Sequence, residues 1–453
     1  MLVSRGKSSV AAALAAGAAL LLPPAAARGF VYGEHRAISG EAIAGLGPAP
    51  SAELGKLWAL ARFGYEARLC EAPWTGDQGL HPACFDLAAW SAMAADHSCT
   101  PHELLEILLE GPLGLRIAAI AARETDELGK AKRNSQHRNA AVRSQVNMAR
   151  ADPTYAVRAG ANNGHFLLGR RGFENLEAYV GRALAPGTEW NALSNYLFFH
   201  GAALVLASQQ EPSGMPPADR AERARLVLAL ESFANHFLED MFAAGHIAGS
   251  WGNAAIRKGT HDFYNRNGLD TSNWNGDEML LFGDAFLNVE TKQIAAGVVR
   301  VSFEQVLEAS NPESTIAKAA VAVKAPADVL EGRSSTCLTG ESPGWTVPDP
   351  LVDSFEVVAG RTAIPYREEG PGSLPRYRAE IGPFLGLFAG GELAGAGGGF
   401  DEIGTAGSAI GSLSLGLRFG LGLEELLSDG GDGLIFLDGG VTMTSAEPTA
   451  CDD

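Results

Sequence analysis

Two hydrophobic periods divide this chain, and one backbone conformation cannot serve both. Up to about Glu308, apolar residues recur at three- and four-residue intervals through Pro101 to Glu110, Leu113 to Ala122, Ala192 to Ser208, Asp219 to Phe242 and Ile294 to Glu308. That spacing gathers large side chains on one stripe of an α-helix. Beyond Arg376 the period becomes two. Leu413-Ser-Leu-Gly-Leu-Arg-Phe-Gly-Leu-Gly-Leu423 alternates strictly, Arg376 to Phe388 less regularly, and Gly433 to Met443 supplies another β-like run. The expected fold is mainly α: a multi-helix domain over 30–308, a linker or irregular stretch over 309–375, and a small Gly-rich β region over 376–453. Thr125 to Asn147 is polar and reads as an exposed helix or insertion. The alternation would suit a strand against lipid, but only about three or four strands fit, whereas closed membrane barrels start at about eight. A small β appendage is therefore the expectation, because an open sheet edge in lipid leaves backbone groups unsatisfied.

Residues 1–29 read as a secretory signal peptide: Arg5 and Lys7, an apolar run from Val10 to Leu22, then small residues to Gly29. Cleavage after Ala27 or after Gly29 fits, and the second makes Phe30 the mature N-terminus. The chain is expected to be secreted or in the cell envelope, either periplasm or outer membrane. Export permits disulfides, and Cys70, Cys84 and Cys99 are close enough to staple a local loop. With Cys337 and Cys451 the five cysteines are odd in number, so at least one is free or paired between chains. The net charge of −18 disfavours binding nucleic acid by counterion release. A nuclease stays open, since bound divalent ions supply positive charge where phosphate sits.

The chemistry-bearing residues concentrate in short segments. Leu226, Leu230, Phe233, Phe237 and Met241 form one helical stripe, and His236 and Asp240 sit a turn apart on its edge. His246 follows Gly245, a residue suited to a helix end. His35 lies five residues after Phe30, whose α-amine is itself a competent ligand if cleavage frees it. Asp96-His97 follows an apolar helical run, His165 lies in Asn162-Asn-Gly-His-Phe166, and His261-Asp262 precedes Asn265 by four. Each segment alone reads as well as a satisfied polar group. Together they are too many for one ion and sufficient for two or three. His200, inside an apolar helix, reads as structural; His81, His102 and His137 read as surface residues.

The spacing of His236, Asp240 and His246, with a His near the mature N-terminus, an upstream Asp and a His-Phe pair between, resembles the zinc-dependent phospholipase C and P1/S1 nuclease superfamily over roughly residues 30–290. The resemblance implies two or three zinc ions. One would take Asp96, His165, His236 and Asp240; a second the amine and carbonyl of Phe30, His35 and a bridging Asp240; a third His246 and His261. Three features depart from the family. Asn265 stands where it has Glu, leaving Asp262 or water as substitutes. Phe30 stands where it has Trp, and Asp96 is far from His165 in sequence, so Asp152 rivals Asp96 as the upstream ligand.

The implied activity is phosphodiester hydrolysis by a metal-generated hydroxide, with Asp96 and Asp240 as catalytic residues. The acidic balance, and the absence of the Gly-Gly-Asn run of the family's nucleases, tilt the expectation towards a phospholipase C acting on phospholipid, with a membrane surface as partner and no stable nucleic-acid complex. A P1/S1-like nuclease and a non-catalytic secreted or envelope binding protein with structural metals are the alternatives. Trp251, Phe263, Tyr264 and Trp274 could line an apolar approach, stack a base, or simply pack. The oligomeric state is not legible.

Overall fold

A computed structural model describes residues 30–76, 83–132, 134–155, 158, 163–171, 174–188, 190–209, 214–248, 261–325, 327–337 and 363–368, and the backbone of strands at 379–391, 409–422 and 434–446. The signal segment 1–29, His81, Trp251 and Cys451 lie outside the described residues, as do the side chains of Asp262 and Phe263.

The protein is mainly α. In chain order the described helices are α1 (Tyr32–Ala44), α2 (Pro48–Arg62), α3 (Leu87–Met93), α4 (Pro101–Leu109), α5 (Leu113–Lys130), α6 (Asn134–Ala151), α7 (Leu176–Ala183), α8 (Ala192–Ser208), α9 (Pro217–Asp240), α10 (Ala244–Ala248), α11 (His261–Asn267), α12 (Val289–Ala309), α13 (Thr315–Val321) and α14 (Ala327–Leu330). Strands β1 (Gly169–Arg170), β2 (Leu269–Asn273), β3 (Glu278–Leu281) and β4 (Pro365–Glu368) form a small sheet in the order β1-β4-β2-β3. Among the described residues, no helix is long and apolar enough to cross a membrane.

Local chemistry explains the helix starts. Asp86 accepts from Ala89 N at the start of α3, Thr100 from Glu103 N at α4, Asn191 from Ser194 N at α8 and Asn288 from Thr291 N at α12. Each side-chain oxygen satisfies a first-turn N–H that has no intrahelical partner. Pro101 and Pro217 begin their helices where a missing N–H costs nothing.

The centre of the domain is α9. It packs against α8 most extensively and also against α2, α3, α4 and α12. Every residue from Val227 to Asp240 is buried, so this half of the helix has no solvent face and its polar residues must find partners inside the protein. The buried Arg36–Asp86 pair, at 2.5 Å, ties α1 to the cap of α3.

The polar stretch 125–147 is helical and largely exposed, as expected, and it is anchored: α5 runs on to Lys130 and packs with α6, which buries Ala140 and Met148 and pairs Ser144 Oγ with buried Glu124 at 2.7 Å. One sequence expectation shifts, because the helical domain does not stop at 308. Its compact unit runs to Glu369, because α13 packs on α8 and α12, Cys337 is bonded to Cys99, and β4 pairs with β1 and β2. These pieces are too short to show a hydrophobic period. The second disulfide, Cys70–Cys84, is the local staple expected.

Residues 370–453 form a separate unit, described here by itself. Strands β5 (Ala379–Gly391), β6 (Ala409–Gly422) and β7 (Leu434–Ala446) make an antiparallel sheet in that order. Its register pairs Leu413 with Leu387 and Met443, and Leu415 with Leu385 and Val441. Rows of like residues thus align across strands, as period-two patterning requires.

Candidate metal centre

Five segments converge on the C-terminal end of α9. α1 brings His35 and Ser39, the turn after α3 brings Asp96, a 3-10 turn at Asn163–His165 brings His165, α9 itself supplies His236, Glu239 and Asp240, and α10 supplies His246. All eight side chains are buried. Asp96 follows Ala95, whose φ of 57° places a non-glycine residue in the sparsely populated left-handed region at a cost of about 1 kcal/mol.

Asp240 is the hub. Its Oδ2 lies 2.6 Å from His165 Nδ1 and 3.3 Å from His236 Nε2; its Oδ1 lies 3.3 Å from His246 Nδ1 and 3.6 Å from His35 Nε2. His236 Nδ1 donates to the Ser91 carbonyl of α3 at 3.0 Å, so Nε2 is the nitrogen left to face the carboxylate and to take a cation when one is bound. The His236 ring stacks on that of His35, centroids 4.2 Å apart. On its other side His35 Nδ1 meets Glu239 Oε2 at 2.6 Å, and Ser39 Oγ donates to Glu239 Oε1 at 2.5 Å.

Burial drives the electrostatics. Desolvation pushes His35 down to about 3 and His246 down to about 4, so both imidazoles are neutral, the form that ligates metal. Burial works against ionising Asp240 too, but the surrounding His246, His236 and His165 hold its carboxyl well below the usual range. For His236 burial is likewise outweighed, chiefly by Asp240, and its value rises. Burial raises Glu239 well above the carboxylate range.

These residues fit a cation. Ligand atoms of His35, Asp96 and His236 lie within 4.8 Å of one another, and so do those of His165, His236 and Asp240. Either group could hold a metal ion, and His236 belongs to both. Three buried atoms in this centre make no protein hydrogen bond: His165 Nε2, Asp240 Oδ1 and His246 Nδ1. Leaving a buried polar atom unmatched costs about 1–3 kcal/mol, a debt that a bound cation removes.

The remaining sequence candidates fall as follows. Phe30 is buried, its ring edge-on to His35 at 5.7 Å. His261 is buried on α11 with its ring 5.2 Å from that of His246, beside Asn265. Asp152 is elsewhere: it accepts from Thr154 Oγ1 at 2.7 Å and pairs with Arg158 at 2.9 Å, while Arg158 also holds the His97 carbonyl at 2.7 Å and Glu103 at 2.6 Å. The two candidates for the upstream carboxylate are thereby separated, and Asp96 is the one among the imidazoles. His97 stacks on Tyr155. His200 is a core residue, bonded to Glu231 and to Gln305 at 2.8 Å each. His102 lies against Gly332, and His137 stacks on Phe286. Tyr264 is buried, and Trp274 shares the Arg170 guanidinium with Tyr366.

Sequence reasoning missed Glu239, Ser39 and the Ser91 carbonyl. A signal was present for the first: Glu231, Asn235 and Glu239 recur every four residues beside the row of Ser232, His236 and Asp240, in a segment otherwise apolar from Leu226 to Phe242. Comparison with protein-family models, curated proteins and solved structures found no match.

Proposed function

We propose that this chain is a zinc-dependent phosphodiester hydrolase of the phospholipase C type. The observation that carries the reading is Asp240, a buried carboxylate with imidazoles on both oxygens, His165 and His236 facing Oδ2 and His246 and His35 facing Oδ1. That is the arrangement of a carboxylate able to bridge two cations. Zinc held there would supply Lewis acidity toward a phosphoryl oxygen and a hydroxide nucleophile at neutral pH.

The protein residues divide the remaining work. His35, His165 and His236, neutral or hydrogen-bonded into one tautomer, fix the positions of the cations. Asp96, grouped with His35 and His236, is placed to orient a water and take its proton. The Asp240 charge, exposed to no solvent, keeps the centre attractive to cations. An amine released at Phe30 would add a ligand beside His35. The leader-like residues 1–29 support export, and the acidic balance supports a phospholipid over a nucleic-acid substrate.

The test is a paired assay of the metal-loaded protein on phosphatidylcholine vesicles and on single-stranded DNA. Release of phosphocholine alone supports the proposal, and cleavage of DNA alone moves the substrate to nucleic acid. If a zinc-loaded preparation hydrolyses neither, a binding protein with structural metals replaces the enzyme.

A further inference from the structure

We infer that Glu34 is a positioning residue for the metal centre: it locks the first turn of α1, and with it His35, to the turn that leads into α12. The inference rests on the metal centre proposed above and concerns how one of its ligands is held.

Three backbone N–H groups from two distant segments meet on this one carboxylate. Glu34 Oε2 accepts from Val31 at 3.0 Å and from Ala285 at 2.9 Å, and Oε1 accepts from Leu287 at 2.7 Å. The Val31 N–H stands at the start of α1, where no helical carbonyl can take it. The other two donors belong to the turn between β3 and α12. There the Phe286 N–H goes to the Gly283 carbonyl at 3.0 Å, while Asp284 and Ala285 have φ of 45° and 72°. Successive non-glycine residues in the left-handed region are strained and persist only where their surroundings hold them. Glu34 supplies such a hold by taking two N–H groups of the bent segment.

A second element grips the same turn of α1. A Cβ on Gly33 would lie 2.6 Å from Thr125 Oγ1 of α5, and that hydroxyl donates to the Ala121 carbonyl at 3.0 Å, so it is not free to move aside. Residues 33 and 34 are thus both pinned immediately before His35. His35 in turn presents Nδ1 to Glu239 at 2.6 Å and Nε2 to Asp240 Oδ1 at 3.6 Å, and both distances depend on how α1 is rotated about its axis. Pinning the turn before His35 sets that rotation. The far end of α1 is tied to α12 separately, by the Glu41–Lys292 pair at 2.6 Å. That pair offers a control, because it joins the same two helices away from the turn that carries His35.

Two readings on the full chain test the inference: zinc affinity by competition with a chelator, and the visible absorption of the cobalt-loaded protein, which reports ligand geometry. Glu34→Gln keeps the side-chain shape but sets an amide N–H against a backbone N–H. It is expected to bind zinc about tenfold more weakly and to alter the cobalt spectrum, while Glu41→Gln changes neither. Adding Ala285→Gly, which relieves the left-handed backbone, is expected to recover part of the loss. Unchanged affinity and spectrum in Glu34→Gln, or the same change in Glu41→Gln, overturns the inference while leaving the metal centre standing. An unmodified protein that binds neither ion removes the centre and this inference with it. Should Glu34→Gln alone fail to fold, the double variant with Ala285→Gly is read against Glu41→Gln in the same two ways.

Discussion

Glu239 Oε2 lies 2.6 Å from His35 Nδ1 although 204 positions separate the two residues. The contact docks α1 on α9 and turns His35 Nε2 toward Asp240. With a cation on His35 Nε2, Nδ1 would carry the ring proton and Glu239 would accept it, an outer partner that fixes the orientation of a ligating imidazole. Glu239→Ala is therefore expected to weaken zinc binding by about 10–100-fold, read by competition against a chromophoric chelator. Glu239→Gln, which keeps an acceptor for His35, should recover part of that loss. Equal affinity in all three proteins would show that Glu239 only fills space.

Asp240 has a larger role. Asp240→Asn keeps the shape but removes the charge that several imidazoles face. Zinc content should fall by at least one ion per chain and hydrolysis should drop below detection. A variant with full metal content would remove Asp240 from the centre.

Asp96 and Asp152 should separate cleanly. Asp96→Asn is expected to lower metal content or turnover with little change in the unfolding midpoint. Asp152→Asn should do the reverse, because it leaves Arg158 short of a charge partner, at a cost of about 1–3 kcal/mol. Calorimetry and metal analysis on the same two variants check both halves. If Asp152→Asn loses zinc and Asp96→Asn does not, the assignment is inverted.

Acid should destabilise the metal-free protein. Burial holds His35 at about 3 and His246 at about 4 in the folded state, against an ordinary value of 6.5. The unfolded chain thus takes up protons first, so stability present above pH 6.5 is lost as pH falls from there towards 4 and below. For His246 alone the loss is roughly 3 kcal/mol. His236, raised by Asp240, opposes this, since its contribution is present below its unfolded value and fades as pH rises through the folded one. Denaturant midpoints between pH 7 and pH 4 should fall, and saturating zinc should move the decline to lower pH. A midpoint that is flat over this range would show that the imidazoles are not buried together.

The Cys99–Cys337 bridge closes a loop of 238 residues only three positions after Asp96. Replacing both cysteines by serine should cost about 2–5 kcal/mol, with a lower thermal midpoint as the readout. Unchanged stability would mean that the segment around Cys337 does not hold the Asp96 turn.

Periodicity is a local property, and what depended on it was legible: the bounds of α8, the core-facing run of α9, the alternation of β6, and the pairing of His236 with Asp240 one turn apart. A helix or strand declares itself within a dozen residues because its own geometry sets the repeat. The sequence by itself also determined which segments carry imidazoles and carboxylates. Which of them meet was decided by the tertiary structure. Sequence preferred Asp96 to its rival Asp152 only for its setting after an apolar helix, and it is packing that puts the first beside His35 and gives the second to Arg158. Glu239 looked like one more helix acid until the burial of α9 on every side forced it onto His35 and Ser39. Asn265 was visible as a departure from a pattern, but its contact with the Gly245 N–H, across 20 positions, needed α10 packed on α11. Long-range contacts of this kind depend on how whole elements pack, and no repeat along the chain records them.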